Sequence, residues 1–85
     1  MKPEPLFRRI ASGATANVAF ADFIRLVEVF GFRLTRTTGS HHAFAHPGVP
    51  ELLNLQPVSG EAKPYQIRQF LRLVERYNLS MEPKR

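Results

Sequence analysis

Two apolar stripes at helical spacing bracket a stretch that has none, and this arrangement leaves the chain few folds to choose from. Phe20, Phe23, Ile24, Val27 and Phe30 recur at i, i+3, i+4, i+7 and i+10; Ile67, Phe70, Leu71, Val74 and Tyr77 form a second stripe near the other end. Between them the period shortens to that of extended chain, with turn signals at Thr38-Gly39-Ser40 and Pro47-Gly48-Val49-Pro50. Residues 32–37, 41–46 and 51–56 are therefore predicted strands, close enough in sequence to pair as an antiparallel meander. Asn17 or Thr15 offers a cap for the first helix, and Gly31 supplies the left-handed residue that ends it. Pro64 opens the second helix, where its missing N–H costs nothing, and Asn78 is the stop. The predicted fold is α+β: an α-β-β-β-α order with a three-stranded antiparallel sheet and both helices on one face.

Eighty-five residues make one domain, and an apolar content of 44% is too high for a disordered chain. Residues 1–17 lack sustained periodicity and carry Pro3, Pro5 and Gly13, so they are expected to form a flexible or loosely docked arm, with one helical turn available at 6–10. Residues 18–80 make up the folded domain, and 81–85 are expected to fray. No apolar run reaches the length of a membrane span, and the charged, proline-bearing start is unlike a signal peptide. With no cysteine, disulfides and thiolate metal sites are excluded, which fits a cytoplasmic protein and also many secreted ones. A net charge of +5 points to an anionic partner, nucleic acid first and an acidic protein second.

Strand alternation separates the three histidines. Phe44 is the only bulky apolar residue of its strand, so it and its face-mates His42 and His46 should point toward the helices. His42 is then a packed histidine with one nitrogen hydrogen-bonded, and His46, before Pro47, is a turn residue. His41 goes to the open face with Ala43 and Ala45, as do Leu52, Asn54 and Gln56 of the third strand. His41 can be a proton-transfer group there, or an exposed histidine of no consequence. The histidines share no common direction for a tetrahedral site, and no metal or other cofactor is expected.

Cations and donors flank that turn. Arg33 and Arg36 precede it, and the backbone N–H groups of Gly39 and Ser40 lie within it. Lys63 stands just before a helix N-terminus, where an anion is already favoured, although a solvated loop lysine reads the same on charge alone. Tyr65 and Gln66 on the first turn can reach a base or a partner, or Tyr65 can shield the core edge. Arg68, Arg72 and Arg76, four apart, read as a solvated helix face. A histidine beside phosphate-holding groups is what RNA cleavage needs, because the ribose 2′-OH attacks its own phosphodiester.

These residues resemble the HicA family of toxin ribonucleases, from about Phe20 to Leu79. The likeness lies in an amphipathic helix ending in Gly31-Phe32, then Arg36-x-x-Gly39-Ser40-His41-His42-x-Phe44-x-His46-Pro47, then a closing helix. It implies a fold similar to double-stranded-RNA-binding domains, and a type II toxin that cleaves mRNA and is inhibited by a HicB-like antitoxin. The family's catalytic histidine follows Gly-Ser, and that position here is His41. Many relatives carry valine-proline-valine-histidine in the third strand and then a lysine-rich loop. This chain has Leu53-Asn54-Leu55-Gln56-Pro57-Val58 and Gly60-Glu61-Ala62-Lys63-Pro64-Tyr65-Gln66 instead, which marks a divergent branch.

Two functions follow as expectations. The first is a metal-independent endoribonuclease, a monomer when free, with His41 catalytic and Arg33, Arg36, Gly39, Ser40, Lys63, Tyr65 and Gln66 on the RNA. The second is a non-catalytic RNA- or protein-binding module of the same fold, in which replacing His41 changes little.

Overall fold

Helix α1 (Pro3–Ala11) precedes α2 (Phe20–Val29), which leads into strands β1 (Arg33–Thr38), β2 (His41–His46) and β3 (Val49–Leu55). Two short strands, β4 (Pro57–Val58) and β5 (Glu61–Ala62), come before the closing helix α3 (Pro64–Arg76). The computed structural model describes residues 1–82. The long strands form one antiparallel sheet in the order β1-β2-β3, and β4 pairs with β5 in a separate hairpin. This is the α+β fold and α-β-β-β-α order read from the sequence, with a helix added in front and a hairpin set before α3.

The core forms where α2 and α3 meet one face of the sheet. Phe44 and Leu53, cross-strand partners, are buried with Leu55 against Phe23, Val27, Ile67 and Phe70. Phe70 sits at its centre, its ring 5.5 Å from Phe23 and 5.3 Å from Phe30, both edge-to-face. Truncating such a ring to alanine costs about 3–5 kcal/mol. The α3 stripe is centred slightly off its predicted line: Leu73 and Gln66 are buried, while Leu71, Val74 and Tyr77 lie half-covered at its edge.

Residues 1–17 were expected to form an arm and instead contain a nine-residue helix. Leu6 and Ile10 are fully buried, and the Phe7 ring packs 4.9 Å from Phe30. The apolar spacing 6, 7, 10 spans barely more than one turn, too short a pattern to signal a helix without the surface it covers. At the other end, Met81 packs against the core and the Glu82 N–H donates to the Val29 carbonyl at 2.7 Å. The remainder of the stretch expected to fray, residues 83–85, lies outside the described residues.

The helix ends follow the chain's special residues, with one exception. Gly31 takes φ +97° after α2, and Asn78 takes φ +53° after α3, as left-handed stops do. A Cβ on Gly31 would also stand 2.9 Å from His46 Nε2. The start of α2 has no side-chain cap: Ala19 is the N-cap, neither Asn17 nor Thr15 serves, and the Phe20 N–H donates to the Gly60 carbonyl at 2.9 Å. The β4–β5 hairpin supplies that carbonyl, and the Ala62 N–H donates back to Val18 at 2.8 Å. The hairpin thus ties the start of α2 to the residues leading into α3, which fixes where Lys63 stands.

Strand β1 is one edge of the sheet and is exposed along its whole length. Its register with β2 shifts between Leu34 and Arg36, so Thr35 is the extra residue, and its hydroxyl donates to the Ala43 carbonyl at 3.0 Å. The shift leaves Arg36 opposite Ala43 and Thr38 opposite His41, on the face away from the helices.

Candidate active site

The corner of interest begins at the β1–β2 turn. Thr38 and His41 pair across Gly39-Ser40, and Gly39 takes φ +60°, the left-handed conformation that a two-residue hairpin demands. His41 is exposed on the open face, and among the described residues no side chain hydrogen-bonds its ring. His42 faces the other way. Its ring lies 5.2 Å from Phe20, and Nδ1 donates to the Ser40 carbonyl at 2.9 Å. A carbonyl can only accept, so this bond assigns the His42 proton to Nδ1. His46 ends the strand as a turn residue: Nδ1 accepts the Gly48 N–H at 2.9 Å, and the ring packs on Phe32.

Gln56 joins the turn to α3. The β2–β3 pairing ends at His42 opposite Leu55, and Gln56 is the next residue along the chain, just past β3. Its Nε2 donates to Ser40 Oγ at 3.2 Å, and its Oε1 accepts from Lys63 Nζ at 3.0 Å. Its own backbone N–H donates to Gln66 Oε1 at 2.9 Å, and Gln66 Nε2 donates to the Tyr65 hydroxyl at 3.3 Å. The Lys63 ammonium also lies 5.9 Å from the centre of the Tyr65 ring, which is 56% exposed. One amide therefore links the loop that carries His41 to the cation and the aromatic ring at the start of α3.

The candidates chosen from sequence divide accordingly. Ser40, Lys63 and Tyr65 are joined through Gln56 and the Lys63–Tyr65 contact, Gly39 and His41 flank Ser40 in the chain, and Arg36 is exposed on His41's face further down β1. Arg33 bends away: its guanidinium donates to the Phe32 and Glu28 carbonyls at 3.0 and 3.3 Å and pairs with Glu82 at 3.3 Å. Gln66 is buried, 7% exposed, with its amide committed to Gln56 and Tyr65. Arg68, Arg72 and Arg76 line the exposed side of α3, and Arg76 lies 3.8 Å from Glu51. Among the described residues no three histidine, aspartate or glutamate side chains gather in a way that could hold a metal ion. A cavity of about 1010 Å³ opens between the start of α1 and the end of α2, and Arg33 is the only site candidate that lines it.

Gln56 is the residue that sequence reasoning left out of the site. Alternation already set it on His41's face, but only the register and the approach of Lys63 give it partners.

Fold and corner together define a small basic α+β domain whose sheet presents an exposed histidine next to a serine tied by a glutamine amide to a lysine. Residues 20–75 match the family described as the HicA toxin of bacterial toxin-antitoxin, and the chain belongs to that family. It is thus the toxin side of a toxin–antitoxin pair, which implies an antitoxin as partner. No curated protein and no solved structure matches the chain. Helix α1 lies outside the matched segment, and no helix among the described residues is long and apolar enough to cross a membrane.

Proposed function

We propose that the chain is a metal-independent endoribonuclease acting on mRNA, with His41 as its proton-transfer group. His41 takes the proton of a ribose 2′-OH, the 2′-oxygen bonds to phosphorus, and the bond to the 5′-oxygen breaks. The proton then passes to the 5′-oxygen from His41 or from solvent, leaving a 2′,3′-cyclic phosphate. Charge gathering on the phosphoryl oxygens is offset by the Lys63 ammonium, the Ser40 hydroxyl and the N–H groups of the turn. Tyr65 offers a ring on which a neighbouring base stacks, worth about 1–3 kcal/mol per base. Arg36, further along the open face, meets the strand's next phosphates as a plain cation.

One observation carries this reading: the Gln56 amide holds Ser40 and Lys63 beside the loop that presents His41 to solvent. In this reading Arg33 and Gln66 support the fold more than they meet RNA, since both are held by protein groups. A HicB-like antitoxin silences the toxin by covering the His41 face. The test is growth of cells that express the chain, with and without His41→Ala. Arrest by the native sequence alone, with cellular mRNA cut, supports the reading. Equal arrest by both would favour a module that binds without cutting.

A further inference from the structure

We infer that Gln56 and Gln66 are positioning residues whose amides turn the Ser40 and Tyr65 hydroxyls into outward proton donors for the phosphates of a bound RNA strand; this rests on reading the His41 corner as the RNA site. Hydrogen-bond polarity fixes which way each amide points. An ammonium group can only donate, so the end of the Gln56 amide that meets Lys63 must be its oxygen. The other end, Nε2, then faces Ser40 and must donate, which makes Ser40 Oγ the acceptor. The hydroxyl proton of Ser40 is left to point elsewhere, and among the described residues no group accepts it.

The Gln66 amide is oriented in the same way. A backbone N–H can only donate, so Gln66 Oε1 is the atom that meets Gln56 N, and Nε2 is the atom that meets Tyr65. The Tyr65 oxygen accepts, and its proton also faces outward from an exposed ring. Two amides, each locked by an obligatory donor, thus set two hydroxyls in one sense. Anionic oxygens accept only, so the Ser40 and Tyr65 protons and the Lys63 ammonium are matched to phosphate, while His41 supplies the acceptor for the ribose hydroxyl. Burial of Gln66 keeps water from competing for its amide and lets the relay hold its orientation.

Gln56→Glu tests this at nearly constant shape. A carboxylate still accepts from Lys63, but it accepts from Ser40 as well, so the Ser40 proton turns inward and is lost to the ligand. The probe is a fluorescent 2′-O-methyl oligoribonucleotide, which binds and cannot be cut; dissociation constants are read by anisotropy, with thermal unfolding as the check on folding. With Gln56 intact, Ser40→Ala weakens binding by about tenfold, as loss of a hydrogen bond to a charged group does. In the Gln56→Glu background the same substitution costs less than about twofold. Gln56→Leu leaves the hydroxyl free to rotate, and Ser40→Ala there has an intermediate effect. Tyr65→Phe weakens binding several-fold, by about the worth of one such bond.

An equal cost of Ser40→Ala in all three backgrounds overturns the inference, as does an unchanged affinity in Tyr65→Phe for its Tyr65 half. Cleavage of an all-ribose strand, run in parallel, separates this from the catalytic reading. Coupling without cleavage upholds the relay and rejects the nuclease; cleavage without coupling does the reverse. No binding by the native chain overturns the relay.

Discussion

His41 and His42, adjacent in the chain, stand on opposite faces of the sheet: His42 packs its ring 5.2 Å from Phe20, while His41 faces solvent across from Thr38. Strand alternation imposes the split, and Phe44 decides which histidine goes inward. The two substitutions should therefore have separate effects. His41→Ala should abolish cleavage and growth arrest and leave the unfolding midpoint unchanged. His42→Ala removes an aromatic contact and a hydrogen bond and should cost about 1–2 kcal/mol of stability, with cleavage retained in the cold. Reversed phenotypes, read by calorimetry and by a gel assay, would reject the assignment of roles.

The basic residues should differ in their effect on salt dependence. Each phosphate contact on a single strand contributes about 0.7 to the slope of log affinity against log salt. Lys63→Ala and Arg36→Ala should each lower that slope by about this amount. Arg33→Ala should lower it less, because Glu82 already holds that guanidinium at 3.3 Å. A titration of RNA binding from low to high salt reads all three, and an Arg33 effect equal to that of Lys63 would place the strand's path along the start of β1.

Most of the frame was legible in the sequence because its signals are local. Helices α2 and α3 have stripes long enough to read, β2 was bounded as His41–His46, and Gly31 and Asn78 stop their helices with positive φ. Elements defined by their partners were not legible. Helix α1 depends on Phe30 for its apolar surface, and the two-residue strands β4 and β5 exist through their pairing and the bond to Phe20. In the site, His41's facing followed from period alone. The partners of Ser40 and Lys63 did not, since Gln56 becomes their bridge only once α3 folds back beside β3.

Far from that corner, the Tyr77 hydroxyl donates to a Glu51 carboxylate oxygen and closes α3 onto β3. The hydrogen bond to Glu51 raises the Tyr77 pKa above its usual value of 10.0, with desolvation and the carboxylate's charge adding to it. A raised folded-state pKa means that the stabilisation is whole below the unfolded value and is lost as pH rises through the folded one. The native chain should thus unfold at a higher temperature than Tyr77→Phe at neutral pH. The gap should hold up to about pH 10 and close above it. Cleavage should not change, and a gap that widened with pH would reject the bond as a source of stability.

The antitoxin should approach the His41 face bearing acidic groups. Charge of opposite sign speeds association, so added salt should slow complex formation more than it hastens dissociation. Co-expressed and purified, the complex should protect His41 from diethylpyrocarbonate. Protection confined to Arg68, Arg72 and Arg76, with His41 still reactive, would mean inhibition from a distance.

The central claim is that His41 cuts RNA through the ribose 2′-OH without a metal ion. It is tested most directly by incubating the purified protein in excess EDTA with two labelled strands, identical except that one lacks the 2′-OH at the cleaved position. The account predicts that the all-ribose strand is cut to a 2′,3′-cyclic phosphate end, that the deoxy-substituted strand stays whole, and that His41→Ala cuts neither. Activity that vanishes with EDTA and returns with magnesium or manganese, or equal cutting of both strands, would contradict it.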